Sequence, residues 1–242
     1  MNHRIIVALT TSLVVACAPL RAPSRGTSPA YDLLQPQRDS FVVLSRGRAV
    51  GFQRTNLERT PGGYRLHDEV RVEGALSQST EVEFSAEGST RSAAQNGNIA
   101  APVHIKLEYI GDGVRGGVTT PSAGRTARAI DIAMPAETVD DNLVAMLVPT
   151  LAWSRDARYT ITISHLDSIA ASYWLTVTGL QRVTVPSGSY DTYKVELIGD
   201  APEQVLLFVT VARPHRLVKV VPVGERVEFV LASGAATANG AR

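Results

Sequence analysis

The chain has 242 residues, 44% of them hydrophobic and 19% charged, with a formal net charge of +1 and only 6% aromatics. So even a balance leaves no basic footprint for nucleic acid, and so few aromatic rings give no base-stacking surface. A single cysteine, Cys17, excludes an internal disulfide and leaves the rest of the chain without thiol chemistry.

At the N-terminus Arg4 precedes an uncharged run, Ile5–Val15. The run is too short for a transmembrane helix of about 20 apolar residues, but it has the length of a signal-peptide core. Two processing sites compete. Ala16-Cys17-Ala18 fits an ordinary signal peptidase, yet that cut would leave Pro19 first, where its fixed φ resists the extended geometry a protease needs. Val14-Val15-Ala16-Cys17 instead resembles the lipobox of bacterial lipoproteins, with valine where leucine is usual.

That resemblance implies cleavage after Ala16, a diacylglyceryl thioether on Cys17 and an acylated (palmitate-type) α-amino group. Two or more acyl chains, at ~0.8 kcal/mol per buried methylene, make a stable anchor. Ala18, rather than aspartate, resembles lipoproteins passed to the outer membrane, facing the periplasm. The expected organisation is a signal peptide over 1–16, an acylated N-terminus and flexible tether over 17–38, one β-rich domain over 39–232 and a disordered tail over 233–242.

Within the domain, apolar residues alternate with polar ones. Tyr64, Leu66, Val70 and Val72 share a face with Asp68, while Arg65, His67, Glu69 and Arg71 share the other. Val82, Phe84 and Ala86 oppose glutamates, and Val103, Ile105, Leu107 and Tyr109 oppose His104, Lys106 and Glu108. Period-2 alternation of this kind predicts antiparallel strands with one buried and one solvated face. Turn signals separate them at Thr60–Gly63, Asn96-Gly97, Gly111–Gly113, Pro186–Gly188 and Val223-Gly224. Glu203–Val211 and Leu217–Val223 are apolar on both faces and read as central strands. The total is roughly eleven or twelve strands, enough to require a strongly curved or barrel-like sheet.

One helix is predicted near Asp140–Val148, with Thr138 as cap and Asp140 and Asp141 at the positive helix end. Val139, Leu143, Met146, Leu147 and Thr150 form its apolar stripe, and Pro149 ends or kinks it near Val148. It reads as a short amphipathic plug or lid on the concave face of the sheet.

Catalytic and metal constellations are sparse. His3 leaves with the signal, while His67, His104, His165 and His215 stand without local ligand partners, so no metal and no cofactor is expected. Ser164, His165 and Asp167 lie together, but on a strand Ser164 and His165 point to opposite faces, which forbids triad geometry. His165 and Asp167 read more simply as a charge pair at a hairpin end. Gly111–Gly117 lacks a following helix to hold phosphate and reads as a hairpin loop. Asp68 alone breaks a buried face, so it lies at a barrel mouth or pairs with an inward arginine. Tyr173 is expected inward, with Trp174 on the opposite face at the rim or under the helix.

The C-terminal stretch GLQRVTVPSGSYDTYKVELIG resembles exported bacterial proteins of the domain of unknown function 3108 family, through Val183, Pro186, Gly188, Tyr190, Lys194, Val195 and Glu196. DSFVVLSRGRAVGFQRTNLERTPGGYRLHDEVRV and FVTVARPHRLVKVV resemble its opening and closing strands. The resemblance spans most of Asp39–Leu231 and implies a wrapped, mostly antiparallel sheet in an envelope protein, with no activity attached. Three functions follow in order: a non-enzymatic lipoprotein binding a hydrophobic ligand, a scaffolding lipoprotein binding a protein partner, and a hydrolase with a site around Asp68 or His165.

Overall fold

The computed structural model describes residues 30–99, 101–119, 128–135, 138–164, 171–199 and 204–236. Cys17 lies outside these residues, as do His165 and Asp167.

Nearly everything described belongs to one 15-stranded sheet. Its first half is a meander of antiparallel neighbours: β1 (Gln37–Ser45), β2 (Arg48–Thr60), β3 (Gly63–Val72), β4 (Leu76–Phe84), β5 (Thr90–Ile99), β6 (Ala101–Ile110), β7 (Gly113–Thr119) and β8 (Arg128–Ala133). Its second half runs from the other edge: β9 (Thr138–Asp140), β10 (Arg158–Ser164), β11 (Ala171–Val185), β12 (Gly188–Gly199), β13 (Gln204–Thr210), β14 (Leu217–Pro222) and β15 (Val227–Ala236). β15 pairs with β1 and joins the halves; only β9 and β10 pair in parallel.

This order has a geometric consequence. β8 and β9 are consecutive in the chain yet occupy opposite edges of the sheet. Ala133 and Thr138 are five residues apart, so the two edges lie within about 18 Å of each other. The sheet therefore curls almost into a barrel and leaves one seam unpaired. The curved antiparallel architecture agrees with the alternation in the sequence, but the strand number exceeds the expected eleven or twelve. Polar β5, glycine-bearing β7 and three-residue β9 carry little apolar alternation to announce them.

Alternation decides what faces inward. In β3, Tyr64, Leu66, Asp68 and Val70 are buried while Arg65, His67 and Arg71 are exposed. Cross-strand register then stacks the inward residues into rows. Leu57, Leu66, Val82, Ala93 and Leu107 stand side by side on β2 to β6. At ~1.5–3 kcal/mol per buried large apolar side chain, this row and its neighbours hold the first half together. β7 places Gly116 opposite Leu107, where a Cβ would lie 2.0 Å from the Lys106 carbonyl oxygen.

A second core lies under β10 to β14 around Leu175, Val195, Leu207, Val209 and Leu217. A third joins Val183, Val185 and Phe208 to Phe41, Val218 and Leu231. Beside it the β11–β12 turn is tied down by the Ser187 N–H donating to the Leu231 carbonyl (3.1 Å).

Five local expectations are corrected. Gly111–Gly117 is not all loop: the turn is Gly111-Asp112, and β7 begins at Gly113 because β6 offers it a partner. Asn96-Gly97 is no turn: it lies mid-strand in β5, where a Cβ on Gly97 would stand 3.2 Å from that of Gln78, so glycine relieves a close cross-strand approach. The end of the expected tether is folded, with Leu34 buried in the first core and β1 beginning at Gln37. β15 continues through Ala236, past the boundary at Ala232, because β1 offers a partner up to the Gln37–Ala236 pair. Finally, Thr138–Asp140 is strand, and helical structure starts only at Asp141.

The predicted helix is a chain of short turns: 3-10 over Asp141–Leu143, α over Val144–Leu147 and 3-10 over Val148–Thr150. Asp140, not Thr138, is its cap, accepting from the Asn142 N–H at 3.1 Å. The Thr138 hydroxyl instead donates to the Pro135 carbonyl. Pro149 ends the α-turn as expected, because its ring cannot follow in an α-helix interior. The stripe of Val139, Leu143, Met146, Leu147 and Thr150 is buried throughout, joining the first core to the seam.

Candidate functional site: a cleft at the seam of the sheet

A cleft of about 720 Å³ opens at the unpaired seam, within the roughly 300–1,000 Å³ typical of ligand pockets. One wall is apolar: Met134, Val139, Leu147, Val148, Leu151 and Ile161. The polar lining comes from Ser89 and Thr90 at the β4–β5 turn and from Thr138, Thr160 and Thr162, which flank Val139 and Ile161 on β9 and β10. Tyr31, Tyr109 and Tyr159 add rings.

Each wall has a local cause. Tyr31, in a 3-10 turn that opens the described chain, lays its ring where a Cβ of Gly88 would be, at 1.9 Å. Gly88 has a φ of +90°, so the β4–β5 turn needs glycine for both shape and space. The turn between β6 and β7 brings Asp112 to the mouth, where its carbonyl accepts from the Met134 N–H at 2.6 Å. Behind the apolar wall, the Trp153 indole donates to the Val148 carbonyl at 2.8 Å and meets Tyr159 edge to face at 5.3 Å. The Tyr159 hydroxyl donates to the Ala152 carbonyl, which fixes the ring at the rim.

Beside the cleft a polar latch crosses the seam. Asp140, fully buried at the edge strand β9, accepts from the Tyr109 hydroxyl of β6 at 2.5 Å. Its other oxygen accepts from the backbone and side-chain nitrogens of Asn142. Burial, then the neighbouring Asp141, hold the Asp140 carboxyl above the usual carboxylate range. Burial and Asp140 likewise push the Tyr109 phenol upward. Asp140 was expected only as a favourable charge at a helix end; its pairing with Tyr109 depends on the closing of the sheet.

Asp68 occupies a different place. Asp39, Thr55, Asp68, Thr80 and Gln95 form one inward row across β1 to β5, each buried. Asp68 accepts from Gln53 at 2.8 Å, and burial raises its pKa to about 6. The expected arginine partner goes elsewhere: Arg216 pairs with Asp39 at 2.7 Å. The Thr55 hydroxyl between the two aspartates has no hydrogen-bond partner among the described residues. Neighbouring strands lie ~4.8 Å apart, so the Asp39 and Asp68 backbones stand about 10 Å from one another. This row is a buried polar belt rather than a paired-carboxylate site.

Ser164 is buried at the end of β10, its hydroxyl 3.5 Å from the Val139 carbonyl. Tyr173 faces inward as expected, and Trp174 is half-buried on the other face. Among the described residues no group of His, Cys, Asp and Glu is arranged to hold a metal ion.

A beta-barrel-like protein of domain of unknown function DUF1849 from Brucella abortus is similar in structure, with a TM-score of 0.57 and 10% sequence identity, covering 85% of this chain and 99% of that one. That likeness concerns the fold alone. No curated protein matches the chain. Residues 40–233 match the model described as protein of unknown function (DUF3108), and the chain belongs to that family.

Proposed function

We propose that this chain is a non-enzymatic lipoprotein of the bacterial envelope, anchored through Cys17 to the outer membrane and facing the periplasm. In this reading its nearly closed sheet binds a hydrophobic ligand. The observation that carries it is the seam cleft, with Leu147, Val148 and Leu151 along one wall and enough volume for a small amphiphile. Tyr31, near the start of the described residues, lines that cleft, which puts the cleft on the side of the domain where the segment from Cys17 joins it. Among the described residues Asp68 hydrogen-bonds to the Gln53 amide, which offers no proton relay, and this favours binding over hydrolysis.

A scaffolding role has one specific support. β8 lies at an edge of the sheet, and among the described residues only β7 pairs with it, so its outer side offers backbone groups to a partner strand.

The test is mass spectrometry of the full chain purified from membranes. The expected result is an N-terminus at acylated Cys17 and one non-covalently held apolar molecule per chain. An unmodified Cys17 contradicts the anchor, and an empty chain contradicts the ligand.

A further inference from the structure

The charge of the cleft narrows the ligand. Glu87 and Asp112 stand at its mouth, and among the described residues no lysine, arginine or histidine contributes to its lining. Glu87 is fully exposed, and hydrogen bonds from Ser85 and the backbone hold its carboxyl below the usual range, so it is ionised at neutral pH. Arg91 acts on the Glu87 carboxylate from outside the cleft, its guanidinium lying beside Gly62 and not in the lining. A carboxylate or phosphate head entering here would lose water without meeting a cation in the described lining, and would face the two carboxylates.

The hydroxyl-bearing lining offers something different. Ser89 and Thr162 bring hydroxyls that donate and accept, suited to alcohol and ester oxygens. Volume sets the size: at roughly 30 Å³ per water-sized group, 720 Å³ admits about two dozen heavy atoms. That is one acyl chain with a small head, not a two-chain phospholipid.

We infer that the cleft takes a single acyl chain bearing an uncharged, hydroxyl-rich head, of monoacylglycerol type, and rejects anionic amphiphiles of the same length. This rests on the cleft being the ligand site proposed above. Selectivity arises at the mouth, while the apolar wall supplies affinity without discrimination.

The full chain, in a non-ionic detergent, is titrated with monopalmitoylglycerol and with hexadecyl phosphate, and native mass spectrometry reads the one-to-one adduct. The glycerol ester is expected to bind at least tenfold more tightly at low salt. A variant carrying Glu87→Lys and Asp112→Lys should reverse or abolish that preference. Equal binding of both probes overturns the selectivity and leaves the cleft standing. Binding of neither probe overturns the cleft as ligand site, and the selectivity with it.

Discussion

At the scale of single residues, the buried carboxylates set the pH response of the fold. Asp68 has a folded-state pKa near 6, raised from 3.8 by burial. The folded state therefore binds the proton more tightly than the unfolded chain, and stability falls as pH rises between about 4 and 6. Asp39 and Asp140 are shifted in the same direction and steepen the slope. Asp68→Asn keeps the amide contact and removes the charge. It should raise stability at pH 7.5 by about 1–2 kcal/mol and flatten the pH dependence, read by denaturant unfolding at pH 5 and 7.5. The opposite outcome is expected at the latch. Tyr109→Phe removes one donor from a buried carboxylate and should cost about 1–3 kcal/mol at neutral pH, with little change near pH 4.

Among elements, those readable in advance were the ones with two unequal faces. β3, β4 and β6 announced themselves because Leu66, Val82 and Leu107 alternate with charges. β5 did not, since Gln95 and Gly97 sit at its inward positions, and β7 did not, since Gly116 does. The register was nearer to hand. A two-residue turn at Pro61-Gly62 sets Thr60 against Gly63 and so forces Thr55 against Asp68. The polar belt was thus implicit in a turn already recognised. Gly116→Val tests the tight approach of β7: the new side chain would meet the Lys106 carbonyl, with an expected loss of about 2–3 kcal/mol in thermal unfolding. The short helix was legible in its apolar stripe but misplaced at its start. Thr138 and Asp140 are both good caps, and the parallel pairing of Thr138–Asp140 with Thr162–Ser164 decides between them. Leu147→Ala should cost about 2–5 kcal/mol, as for other large-to-small core changes, and should also loosen the apolar wall.

For the molecule as a whole, the candidate site turns on a topological feature that no local pattern encodes. β8 and β9 are neighbours in sequence and strangers in the sheet, because the chain returns through β15 beside β1. The cleft, the Tyr109–Asp140 contact and the placement of Tyr31 all follow from that return. In the proposed reading Cys17 holds the domain at the membrane and the seam takes the ligand. The most direct test is the position of a bound ligand. A monoacylglycerol carrying a photoreactive group in its chain, cross-linked to the full chain and mapped by peptide mass spectrometry, is expected to label Met134, Leu147, Leu151 or Ile161. Labelling confined to the outer faces of β2 to β5, or spread evenly along the chain, would contradict the account.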